Sequence, residues 1–180
     1  MHKGGEHIPK GLFTEEASMI RLEEGQVGFA KNHEELMYPS VTSCLTITCV
    51  LADGGKWGAH MSIKPYQNNF PHNVILPELR TGMSTAKALD KVAKVWIVGI
   101  LDLWATYLGP RKDPNEAIKS GNDESMKKTR DRLVDLLGLR HLSGKGCGVV
   151  PGESTFVFMN MEGNVKFGTG SASEAIEVEF

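Results

Sequence analysis

Three cysteines, Cys44, Cys49 and Cys147, and the histidine at position 60 are the side chains of this 180-residue sequence best suited to covalent chemistry. A cysteine attacks as its thiolate. A histidine within hydrogen-bond reach generates that thiolate and later returns the proton to a leaving amine. The three cysteines form no Cys-x-x-Cys pair and cannot all join in disulfides within one chain. The bland reading of any one of them is a small buried hydrophobe. A zinc site drawn from Cys44, Cys49, His60 and His72 lacks the usual ligand pairing. Gly144-Lys145-Gly146-Cys147-Gly148 lacks the Gly-Lys-Ser/Thr ending and the strand-loop-helix setting of a phosphate loop. No metal and no cofactor are expected.

The elements around Cys44 and His60 must bring them together. Cys44-Leu45-Thr46-Ile47-Thr48-Cys49-Val50-Leu51 alternates small or polar residues with aliphatic ones, the pattern of a strand with one buried face. Asp53-Gly54-Gly55 supplies a tight turn, and Lys56 to Ile63 reads as the returning strand of a hairpin. Counting outward from a two-residue Gly54-Gly55 turn pairs Asp53 with Lys56 and sets Cys49 opposite His60. Cys44 and Cys49 differ by an odd number of positions, so a regular strand points them to opposite faces and only one can meet the histidine. A bulge or a wider loop reverses the choice.

From Ile20 to Phe167 the chain resembles CheD, the chemoreceptor glutamine deamidase family. The likeness rests on Gln26-Val27-Gly28-Phe29-Ala30, then Thr42-Ser43-Cys44, then Gly54-Gly55 with Gly58-Ala59-His60-Met61, in the family's order and spacing. Asn122 to Leu139, the glycine-rich stretch Ser143 to Gly148 and the hairpin ending at Phe167 are similar to the family's late helix, strand entry and terminal hairpin. The resemblance implies Cys44 as nucleophile and His60 as general base and acid, an arrangement shared with toxins of the cytotoxic-necrotizing-factor type. The family's threonine six residues before the cysteine falls on Tyr38. The imidazole orienter expected here is therefore a main-chain carbonyl at Tyr38, with Thr42 and Ser43 as further candidates for the orienting or oxyanion region. Thr42 also replaces the family's glycine before Ser-Cys. The implied activity is hydrolysis of glutamine side chains of a protein substrate to glutamate. The alternatives are a cysteine peptidase or transglutaminase-like acyl transferase, and a catalytically inactive binding module of the same fold.

The remaining elements read as follows. Met19 to Leu22 and Val27 to Ala30 are two short strands around Glu24-Gly25-Gln26. Pro65 to Pro77 is a long connection. Ser84 caps a helix running to about Lys94. Val95 to Leu103 is a buried central strand, with a short helix as the alternative. Pro110 to Asn122 is a surface loop. Asn122 or Asp123 opens a helix through Leu137 that Gly138 stops. Thr155 to Met159 and Val165 to Phe167 form a hairpin around Glu162-Gly163-Asn164. The expected class is α/β, a layered sandwich with mixed or antiparallel sheets and about two main helices outside.

Length and composition fit one domain, residues 18–168, with a polar leader over residues 1–17 and a tail over 169–180. A net charge of −2 offers no general attraction for a phosphate backbone, so nucleic acid is not an expected partner. The start has no apolar core of secretory length, and Val95 to Trp104 is too short to span a bilayer and contains Asp102. A soluble, cytoplasmic protein with no membrane insertion is expected.

Overall fold

The computed structural model describes residues 18–63, 71–108, 123–142, 146–151, 156–168 and 176–178. Ten strands and three helices are found among them. The strands are β1 (Ser18–Arg21), β2 (Val27–Ala30), β3 (Glu34–Pro39), β4 (Leu45–Leu51), β5 (Lys56–Met61), β6 (Val92–Gly99), β7 (Cys147–Pro151), β8 (Phe156–Met159), β9 (Val165–Gly168) and β10 (Ile176–Val178). The helices are α1 (Pro71–Thr85), α2 (Leu101–Leu108) and α3 (Asp123–Leu136). One mixed sheet has the order β1-β3-β8-β9-β10 and the other the order β2-β5-β4-β6-β7.

The two sheets and the helices form the expected layered α/β sandwich. β4 is buried along its whole length because it is the central strand of the second sheet and is covered on both faces. Its odd-numbered residues Leu45, Ile47 and Cys49 pack into a core with Ile75, Leu76, Leu79 and Met83 of α1, Trp104 of α2 and Leu133 of α3. On the opposite face, Cys44 and Val50 join Leu36, Tyr38, Trp96, Val98, Val157 and Met159 in a core between the sheets. That interlayer also holds buried polar groups, and buried polar groups need partners. Thr48 Oγ1 and the Tyr38 hydroxyl are 2.6 Å apart. Lys56 Nζ donates to the carbonyls of Glu34 and Gly54 at 3.1 Å each. The Trp96 indole N–H donates to the Gly163 carbonyl at 2.9 Å, tying β6 to the β8–β9 turn.

The helix starting at Asp123 and the β8–β9 hairpin lie where the sequence puts them, but several other elements differ. Ser84 is near the end of α1 rather than at the start of a helix. Lys87, at φ 53°, closes α1 with bonds from Ala88 N–H to Met83 and from Lys87 N–H to Ser84, a Schellman ending that needs no glycine. Leu89–Lys91 then make one 3-10 turn, and the β-branched residues from Val92 onward go into β6. β6 stops at Gly99, whose φ of 149° bends the chain, and Leu101 to Leu103 belong to α2 instead of continuing the strand. Pro71 to Pro77, expected as connection, forms the first turns of α1. Pro71 opens the helix, where a proline is tolerated, whereas Pro77 lies inside it and faces solvent. β1 and β2 flank the expected turn but enter different sheets, β1 beside β3 and β2 beside β5. β3 carries no alternation that would single it out in the sequence. Ile176–Val178, expected within a tail, adds a strand to β9. The leader and the loop from Pro110 to Asn122 lie outside the described residues. Among those residues no helix is long and apolar enough to cross a membrane.

Candidate functional site

The β4–β5 turn decides which cysteine shares a face with His60. Leu51 N–H donates to Gly55 O at 2.8 Å and Gly54 N–H to Leu51 O at 2.9 Å, with Gly54 at φ 85°. This is a three-residue loop, Ala52-Asp53-Gly54, closed by a glycine in the left-handed region, and not a two-residue Gly54-Gly55 turn. The register that results pairs Cys49 with Trp57 and Thr46 with His60. Even-numbered residues of both strands therefore face the other sheet, and Cys44 belongs to the His60 face. Cys44 precedes β4 two positions from Thr46, a diagonal relation to His60. Such neighbours lie roughly 7–8 Å apart in a regular sheet, within reach of long side chains.

Three structural features hold the Cys44 main chain. Ser40, at φ 58°, turns the chain out of β3, and Val41–Ser43 lead it across to the second sheet. The Trp104 indole N–H then donates to Ser43 O at 3.3 Å. The bend at Gly99 packs against Cys44 itself, and a β-carbon there would lie 2.5 Å from the Cys44 carbonyl oxygen. Cys44 is 1% exposed and His60 is fully buried, so the pair is closed off from solvent.

His60 is held from both its main chain and its ring. Its N–H donates to Gln26 O at 3.0 Å, and its carbonyl accepts from Gly25 N–H at 2.7 Å. Nδ1 is 2.9 Å from the Leu22 carbonyl oxygen. A carbonyl can only accept, so Nδ1 carries the proton and Nε2 presents its lone pair. Nε2 is buried and has no hydrogen-bond partner among the described residues. Burial holds the His60 pKa below its usual value, outweighing the opposite pull of the Leu22 carbonyl and of Glu24 and Glu23. The imidazole is thus neutral near pH 7, the form a general base requires.

The carbonyl that orients His60 is Leu22's, which corrects the expectation of a carbonyl at Tyr38. Tyr38 pairs its main chain with Val157 across β3 and β8. It meets His60 through its ring, edge-on, at 6.0 Å between centroids and an interplanar angle of 87°. Burial raises the Tyr38 phenol pKa, so its hydroxyl stays protonated, bonded to Thr48 and to the Ile47 carbonyl at 3.3 Å. Thr42 is exposed and Ser43 half-buried, and neither bonds the imidazole. A main-chain acceptor 38 residues upstream of His60 leaves no trace in side-chain types, so no motif could have named Leu22.

The other two thiols belong to different surroundings. Cys49 faces the helices, and burial pushes its pKa up to about 12, with Cys147 adding to the rise. Cys147 is also pushed up to about 12 by burial, against the opposing effect of Arg130. Both pair with Val95, one strand to either side. They are therefore about 10 Å apart, too far for a disulfide. Cys44 and Cys49 point to opposite faces of β4, which removes the zinc reading. Among the described residues no group of three or more His, Cys, Asp or Glu is placed to hold a metal ion.

Searches of protein-family models and of curated proteins find no match to this chain.

Proposed function

We propose that the protein is a cysteine hydrolase that converts glutamine side chains of a protein substrate to glutamate, with Cys44 as nucleophile and His60 as base. The observation that carries this reading is the lone pair of His60 Nε2, buried without a described partner on the face shared with Cys44, while Nδ1 is anchored on Leu22. In the proposed reaction Nε2 takes the Cys44 proton, and the thiolate adds to the amide carbon of the glutamine. As the tetrahedral adduct collapses, the imidazolium gives its proton to the nitrogen, and ammonia leaves. Water, deprotonated by His60, then opens the thioester and releases glutamate and the Cys44 thiol. The net change is one amide plus water to one carboxylate plus ammonium. The new negative charge can change the state of a signalling protein. The fitting compartment is the cytoplasm, where thiols are kept reduced.

The closed state of the dyad sets a condition on this chemistry. Substrate must open the Cys44 end, where exposed Thr42 and half-buried Ser43 are the adjoining residues. The same burial favours a second reading, a catalytically silent module that keeps the fold and docks on a partner. Incubation with glutamine-bearing proteins separates the two. Ammonia release with the amide-to-acid mass change, lost in Cys44→Ala, supports the hydrolase. Cellular effects fully retained in Cys44→Ala support the module.

A further inference from the structure

The geometry points to Leu22, seated in a socket made by Gly28 and Gly58, as the positioning residue that fixes the proton of His60 on Nδ1. Gly28 and Gly58 are directly paired across β2 and β5. Together they leave a gap in the side-chain layer of the sheet, and the Leu22 side chain fills it. A β-carbon on Gly28 would lie 2.5 Å from Leu22 Cδ2. A β-carbon on Gly58 would lie 2.9 Å from Leu22 Cδ1 and would overlap the Tyr38 hydroxyl. Leu22 is only 4% exposed, although its neighbours Arg21, Glu23 and Glu24 are all exposed.

The socket and the imidazole are linked through one residue. Leu22 N–H donates to Met37 O at 2.8 Å, its side chain rests on the glycine pair, and its carbonyl accepts from His60 Nδ1–H at 2.9 Å. With main-chain donor and side chain both fixed, the direction of the carbonyl is fixed too. The side chain at position 22 thus sets which imidazole nitrogen is bare. The catalytic consequence rests on the Cys44–His60 reading above; the placement of the proton does not.

The test is nitrogen-15 NMR of the His60 ring in the full chain without substrate, alongside thiol alkylation of Cys44. The wild type is expected to show a protonated Nδ1 and a bare Nε2. Leu22→Ala empties the socket and Gly28→Ala crowds it, so both are expected to shift the signal toward protonated Nε2. Both should also slow Cys44 alkylation by about 10–100-fold, the scale of a small misplacement of a reacting group. Leu22→Met refills the socket and should restore both readouts. If one variant fails to fold by circular dichroism, the other carries the comparison. A wild-type ring protonated on Nε2, or folded Leu22→Ala and Gly28→Ala proteins with the wild-type ring signal, would overturn the inference. Absence of deamidation with the expected ring signals would overturn the proposed reaction and leave the role of Leu22 standing.

Discussion

Gly99 and Cys44 approach so closely that a β-carbon on the glycine would lie 2.5 Å from the carbonyl oxygen of the cysteine. Gly99 also holds φ at 149°, a value side-chain-bearing residues rarely adopt. Gly99→Ala therefore incurs both backbone strain and a contact with main-chain atoms that cannot rotate away. The expected loss is about 1–3 kcal/mol of stability, measured by urea denaturation. A loss of Cys44 alkylation rate in the folded variant should accompany it, because the displaced group is the backbone of Cys44 itself. An unchanged midpoint would show that the corner relaxes freely.

The three thiols should separate in a labelling experiment. A thiol with a pKa of about 12, as for Cys49 and Cys147, is ionised in on the order of one molecule in ten thousand at pH 8, and burial slows access further. Cys49 is expected to label only on unfolding, and half-buried Cys147 slowly because so little of it is thiolate. Cys44, on the His60 face, should label in the native state whenever its closed end opens, faster than the other two, and lose that advantage in His60→Ala. Equal, slow labelling of all three would count against the dyad.

Acid should weaken the fold through His60. Burial depresses its pKa, so below the ordinary value near 6.5 the unfolded chain binds a proton that the native state refuses. Stability contributed by the neutral ring is complete above that value, falls as pH drops through the window beneath it, and stops falling once the native ring is also protonated. Denaturation between pH 7 and 5 should show a decline that is flatter in His60→Gln. Asp135, whose pKa is lowered by its hydrogen bond to Arg140, adds its own loss at lower pH and is unaltered in that variant.

Tyr38 and Thr48 should behave as a coupled pair. Tyr38→Phe removes the hydroxyl that Thr48 Oγ1 meets at 2.6 Å and leaves a buried threonine oxygen unsatisfied. A cost of about 1–3 kcal/mol is expected. Adding Thr48→Val should recover part of it, and a double-mutant cycle on urea midpoints gives the coupling. Strict additivity would mean that the two hydroxyls are satisfied separately.

Much of this arrangement was legible in the sequence, and the exceptions have physical causes. The alternation from Cys44 to Leu51 announced β4 as a strand, though with one buried face where the structure buries both, and Gly138 announced the end of α3. Strand counting went to Cys49 because Gly54-Gly55 resembles a two-residue turn. The loop actually runs Ala52-Asp53-Gly54, and that one-residue difference in loop length changes which residues pair. The helix expected from Ser84 to Lys94 failed because Lys87 adopts a left-handed conformation without being glycine. Leu22 carries no sequence signature because its contribution to the site is a carbonyl, a group every residue has. Gly28 and Gly58 were visible only as motif letters, and their use appears once Leu22 is found lying over them.

Leu22 and Cys44 occupy comparable places in the chain. Leu22 follows β1 and precedes β2, and Cys44 follows β3 and precedes β4, so each lies where the backbone passes from the first sheet to the second. The acceptor that fixes the base and the thiol it would serve are thus both set by the alignment of the two sheets. If one sheet slid against the other, both crossings would feel it together. Deamidation by this pair would therefore report interlayer registry and would be lost in one step when that registry is disturbed, even with each sheet's internal pairing intact.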